Sequence, residues 1–164
     1  MLGYAARVLP QYLEIRRRGP GGLVSRLDRR VRFRELDFNR HMNQAVYLQN
    51  AEMGRTDWAV RSGAWDRWRA QGVNAMVGEQ RAVYRRELGP RVRYRIETRG
   101  VGVDGRLLML QSHFLVGDRV HTLVESKLLF VGKDGVLPPE DVPALCEPFL
   151  TEPLPVEAWR VVAP

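Results

Sequence analysis

Cysteine occurs once in the 164 residues, at Cys146, so no disulfide can close within the chain and no cysteine cluster can hold zinc. A reducing compartment is therefore expected, with the cytoplasm as the location. Histidine is almost as scarce. His41, His113 and His121 are the three, none in an H-E-x-x-H pattern, and no metal site is expected. A serine nucleophile would want a G-x-S-x-G elbow, and none is present. Lysine is nearly missing: beyond Lys127 and Lys133, arginine makes up the 26 basic residues that stand against 19 acidic ones. The resulting charge of +7 invites an anionic partner, whether nucleic acid, an anionic membrane or a small ligand with phosphates.

Long hydrophobic runs are missing too. In "MLGYAARVLPQYLEIRRRGPGG" the apolar Leu2, Tyr4, Ala5, Val8, Leu9, Tyr12, Leu13 and Ile15 are interrupted by Arg7, Pro10, Gln11 and Glu14. A bilayer span needs about 20 mostly apolar residues, and a signal peptide needs an unbroken apolar centre. Neither pattern is met. A short helix packed on the body is preferred over a membrane-surface helix presenting Arg16, Arg17 and Arg18 to lipid phosphates.

What is present suits one soluble domain, with 45% hydrophobic and 27% charged residues. "RGPGG" at residues 18–22 ends the first segment and predicts a linker. Alternation from Arg29 to Phe33 predicts a strand. After Asn43 the spacing of Ala45, Leu48, Ala51, Glu52, Thr56, Ala59 and Val60, with Tyr47 and Trp58 adding apolar bulk, predicts a long helix ending near Gly63, with a second short helix around "WDRWRAQG". Strand patterns then dominate. Residues 74–86 form one run. In "RVRYRIETRG" Val92, Tyr94, Ile96 and Thr98 share one face. "VDGR", "GD" and "GKDG" supply turns that separate 107–116 from 121–131. The fold class read from this order is α+β, an antiparallel sheet wrapped around one long helix. Three segments are expected: an N-terminal helical extension and linker over 1–28, the main domain over 29–133, and a proline-rich tail over 134–164 that lies on the surface as a short helix and an extended arm.

The loop "ELDFNRHMNQAVYL" carries the chemistry. Asn43 sits where a helix N-cap belongs, which by itself explains that residue. It does not explain Asp37 or His41. A carboxylate aimed at a helix start, beside free backbone N–H groups, has what acyl transfer requires: Asp37 to activate water or attack, and N–H groups near Asn43 and Gln44 to hold an oxyanion. His113 and His121 read as ordinary strand residues.

The order of strand, this loop, long helix, "VYRREL" and a meander closely resembles the hotdog-fold acyl-CoA thioesterases of the 4-hydroxybenzoyl-CoA thioesterase type, over about residues 29–131. The matching positions are Asp37, His41, Met42, Asn43, Gln44 and Tyr47. The end of the chain, with Leu145, Cys146, "EPLP" and Trp159, is similar to the THEM-type thioesterase-like branch. Two positions depart from the pattern: Arg40 stands where glycine is usual, and Gln44 where a second asparagine is usual. The D-x-N-P-x-H motif of the hotdog hydratases fits less well, because His41 follows Asp37 by four residues without a proline.

The resemblance implies hydrolysis of an acyl thioester to free acid and coenzyme A, with no cofactor besides the coenzyme A of the substrate. It implies Asp37 as nucleophile or general base, the Gln44 N–H as oxyanion donor, and His41 and Asn43 shaping the loop or facing substrate. Tyr47, Arg85, Arg86 and Arg106 are expected to contact substrate, Arg106 at the nucleotide. The expected assembly is a homodimer or dimer of dimers, sheets joined edge to edge with the sites at the boundary. Two other readings are set against it. One is a binding protein that holds an acyl thioester without turnover. The other is nucleic-acid binding by Arg91, Arg93, Arg95 and Arg99, set aside because no aromatic residue interleaves that face.

Overall fold

A computed structural model describes residues 2–155, 159 and 160; the side chains of residues 2–8 and of Gln11 lie outside the description, and with them the packing expected of Leu2, Tyr4, Ala5 and Val8. Helix α1, Leu2–Arg17, leads to strand β1, Val24–Arg30. A 3-10 turn, Phe33–Glu35, and the motif loop follow, then α2, Gln44–Ser62, and α3, Ala64–Ala70. Strands β2, Asn74–Tyr84, β3, Arg93–Asp104, β4, Leu107–Val116, and β5, Arg119–Gly132, complete the meander. A two-residue β6, Gly135–Val136, and α4, Val142–Cys146, precede the extended tail.

The sheet is antiparallel in the order β1-β3-β4-β5-β2, with β6 on β5. It curls around α2, as the hotdog architecture requires. Turn chemistry fixes the register. Gly105 and Gly117 adopt φ of 58° and 57° in two-residue connections closed by Asp104↔Leu107 and Val116↔Arg119, conformations that glycine enters without a Cβ clash.

Two expectations shift. The first strand lies at Val24–Arg30 and not at Arg29–Phe33. Its inward positions are Ser25 and Leu27, so only one apolar residue marks the buried face and the alternation is faint. Ser25 faces inward because its hydroxyl donates to the buried Asp57 carboxylate at 2.6 Å. The inward stripe of α2 is also rotated from the predicted one. Tyr47, Ala51, Gly54 and Trp58 face the sheet, with Met53, Asp57 and Ala59 also buried. Gly54 is what allows the close approach, since a Cβ there would collide with Thr98 Oγ1.

The segment read as a linker is latched down. Asp57 accepts from Arg18 at 2.8 Å and lies 3.6 Å from Arg61, Arg61 Nε donates to Gly19 O at 3.1 Å, and Trp58 Nε1 donates to Leu23 O at 3.0 Å. A buried carboxylate is tolerated only with such partners. The tail crosses the outer face of the sheet. Thr151 N–H donates to Gly100 O at 2.8 Å, Leu154 N–H to Gln111 Oε1 at 3.1 Å, and the Trp159 ring lies 6.0 Å from the Arg81 guanidinium. The tail's described residues thus meet β3 at Thr151, β4 at Leu154 and β2 at Trp159.

Candidate active site

Every element that ends at the amino end of α2 contributes to one surface. The motif loop is pinned at both sides: Val31 N–H donates to Val92 O at 3.0 Å, Met42 N–H to Leu88 O at 2.8 Å, and Asn43 N–H to Glu35 O at 2.8 Å. Between these pins the chain makes a tight turn. Asp37 N–H donates to His41 O at 2.8 Å and Arg40 N–H to Asp37 O at 3.1 Å, while Arg40 takes φ of 63°. That left-handed conformation is where a glycine would sit without cost, so Arg40 keeps the turn at the expense of a Cβ in that region.

Asp37 is half-buried. Its Oδ1 accepts from Asn39 N–H at 2.9 Å and from His41 N–H at 3.1 Å. One carboxylate oxygen therefore braces the turn, and both described bonds fall on that oxygen. Asn43 is the N-cap, with Oδ1 accepting from Ala45 N–H at 2.8 Å and its backbone O from Val46 N–H at 2.9 Å. A cap of this geometry leaves the first helical N–H, that of Gln44, as the spare donor. The positive end of the helix dipole adds to it.

His41 points its Nε2 to Glu87 Oε1 at 3.4 Å. The backbone O of Glu87 is 3.1 Å from His121 Nδ1, and the Arg85 and Arg86 N–H groups both donate to His121 O at 2.9 Å. Asp37, His41, Asn43, Gln44, Arg85 and Arg86 are thus brought to one end of the molecule. Glu87 and His121 join them. Glu87 was not singled out in the sequence and His121 was read there as an ordinary strand residue, because only the β2–β5 pairing carries them to this end.

Two expected contacts lie elsewhere. Tyr47 is 3% exposed and packs its ring 5.3 Å from Tyr84 and 5.2 Å from Phe114, so in this structure it belongs to the core beneath the loop and not to the open surface. Burial pushes its phenol pKa up, and does the same for Tyr84 and Tyr94. Arg106 sits in the β3–β4 turn. Strand β3 separates that turn from the Asp37 end by roughly 36 Å at about 3.3 Å per residue. His113 also departs from an ordinary strand residue: it is 2% exposed, its Nε2 has no partner among the described residues, and burial, with Arg99 second, lowers its pKa to about 3.

The arginine stripe is partly neutralised. Arg95 pairs with Asp28 at 2.9 Å and Arg99 with Glu97 at 3.2 Å. Among the described residues no group of three or more His, Cys, Asp or Glu is arranged to hold a metal ion. No helix among them is long and apolar enough to cross a membrane.

Known proteins share this framework. Protein THEM6 of Danio rerio is 31% identical over 86 residues, a match spanning 52% of this chain and 43% of that protein's length. Among solved structures, the probable thioesterase YbaW of Escherichia coli superposes with a TM-score of 0.71 at 20% identity, over 77% of this chain and 99% of that one. The DHNA-CoA thioesterase of Staphylococcus aureus superposes at 0.63 with 15% identity, over 77% and 88%. The family model described as the thioesterase-like superfamily matches residues 31–152, and the chain belongs to that superfamily.

Proposed function

We propose that the protein hydrolyses an acyl-coenzyme A thioester to the free acid and coenzyme A. The observation that carries this reading is the Asp37 carboxylate held in a braced turn on the loop that leads into the start of α2 at Gln44. In the proposed step the thioester carbonyl docks on the spare Gln44 N–H, and Asp37 either attacks it or takes a proton from the attacking water. The electron pair moves onto the carbonyl oxygen, where the N–H and the helix dipole stabilise it, and collapse expels the thiolate, which takes up a proton. Water attack gives the free acid directly, whereas attack by Asp37 leaves a mixed anhydride that a water then hydrolyses to the acid and the restored carboxylate. His41 is held by Glu87 beside the same loop. Family membership, and the thioesterases that share the fold, support the reaction class.

The assembly proposed is a homodimer joined through β2. Strand β2 is an edge strand of 11 residues, and Met76 and Val77 on it are 58% and 45% exposed. A long exposed edge with apolar side chains invites pairing with another strand. A second copy of β2 meets that need by joining two sheets. The outer face carries the chain's own tail, which favours the edge over that face as the contact. A cytoplasmic location is proposed from cysteine usage: the one thiol, Cys146, is buried and has no second cysteine in the sequence to pair with.

The test is release of free thiol from a panel of aromatic, short-chain and long-chain acyl-CoAs. Turnover of at least one member is expected. Stoichiometric binding with no product over hours, for every member, would replace the enzyme with a binding protein.

A further inference from the structure

Two phenylalanines stand out of the surface at the Asp37 end. Phe38, next to the carboxylate, is 105% exposed, and Phe33 is 61% exposed. The Arg91 guanidinium lies 5.1 Å from the centre of the Phe33 ring. Arg34, Arg40, Arg91 and Arg93 are all exposed around them. Among the described residues none of these four takes part in an ion pair, whereas the nearest acids are engaged: Glu35 accepts from Arg32 N–H at 2.8 Å, Asp37 braces its loop, and Glu87 meets His41.

Backbone geometry sharpens the picture. Arg40 and Arg91 are the two non-glycine residues with positive φ among those described, at 63° and 62°. Glycine is the easy residue at such positions. An arginine held there keeps a side chain that the turn does not need, and such strained positions gather at ligand sites.

We propose that Phe33, Phe38 and Arg91, with Arg34, Arg40 and Arg93, form the subsite for the phosphorylated adenosine diphosphate end of coenzyme A. The adenine stacks on an exposed phenyl face and the phosphates lie among the guanidiniums, which hold such anions by charge and paired N–H donors. The proposal rests on the acyl-CoA reading above. Distance favours it over Arg106. Phe33 is four residues from Asp37, so their backbones are at most about 14 Å apart, within the span of a pantetheine arm. Arg106 of the same chain is more than twice as far along β3.

The experiment pairs a Phe33→Ala, Arg91→Gly double variant with three forms of one acyl group: on coenzyme A, on pantetheine alone and on a carrier protein. Glycine at 91 suits the backbone there, and circular dichroism with thermal melting checks that the fold is kept. The expected result is a rise in KM for acyl-CoA of tenfold or more with kcat retained, and unchanged kinetics on acyl-pantetheine. Calorimetric titration with coenzyme A gives a second reading that needs no turnover, and a tenfold loss of affinity is expected. If the parent hydrolyses nothing yet binds coenzyme A through Phe33 and Arg91, the reaction fails and the subsite stands. If acyl-CoA turnover survives unaltered in the double variant, or both thioesters lose equally, or the carrier-protein form suffers most, the subsite is wrong. Loss of coenzyme A binding in Arg106→Ala but not in the double variant would also overturn it.

Discussion

The two ends of α2 are built from different material. At its carboxyl end Trp58, Trp68, Phe130, Leu108 and Leu110 close into a core that Val142, Leu145 and Cys146 of α4 seal from outside. At its amino end the core is Tyr47, Tyr94, Phe114, Leu88 and Met42, and above it lies an open loop with half-buried acid, two imidazoles and many arginines. The closed end gains stability from burial. The open end carries backbone held at positive φ and charge held near a helix terminus, neither of which stabilises the fold by itself. One helix thus separates the groups that hold the protein together from those offered to a ligand.

That division can be tested first where the effect is largest. Trp58 is fully buried, and Trp58→Ala should cost about 3–5 kcal/mol by analogy with large-to-small core changes. Denaturant unfolding measures it. A loss below about 1 kcal/mol would mean that the closed end is not the stabilising one.

His113 gives the next test, through pH. Its pKa is lowered in the fold to about 3 from the ordinary 6.5, so the unfolded chain binds its proton more readily. The stability due to the neutral, buried ring is complete above about pH 6.5 and is lost as pH falls toward 3. Arg99 faces the same ring and acts in the same direction. His113→Leu should flatten unfolding free energy against pH in that window, by a few kcal/mol at its acid end. An unchanged slope would remove His113 as the cause.

Changes at the open end should be smaller in stability. Asn43→Ala removes the bond to Ala45 N–H and should cost about 1 kcal/mol. Arg40→Gly should run the other way, gaining up to about 1 kcal/mol because a side chain leaves the left-handed region. Thermal melts of both variants make the check, and a destabilised Arg40→Gly would show that the arginine side chain anchors the loop.

Much of this was legible in the chain before any fold was seen. The turns at Asp104–Gly105 and Gly117–Asp118, the helix start at Asn43 and the inward face of Tyr94, Ile96 and Thr98 all follow from local rules. The motif residues from Asp37 to Gln44 announced their loop. Strand β1 was misplaced because its buried side holds Ser25, whose reason for being there, Asp57, is 32 residues away. The stripe on α2 was rotated because a glycine and a buried acid sit in it. Glu87 and His121 reach the site through strand pairing across more than 30 residues, and Tyr47 goes under the loop because the sheet curls over it. Local pattern has no access to such long-range partners.

The account turns on the charge of one side chain, and Asp37→Asn isolates it. Asparagine keeps an oxygen able to accept from the Asn39 and His41 N–H groups, so the loop should hold and the melting temperature should move by no more than about 2 °C. With an acyl-CoA that the parent cleaves, kcat should fall by about a hundredfold or more, the scale expected for a lost general base or nucleophile. Near-parental turnover in that variant, with the loop intact, would mean that Asp37 only braces the turn and that the chemistry resides in another group.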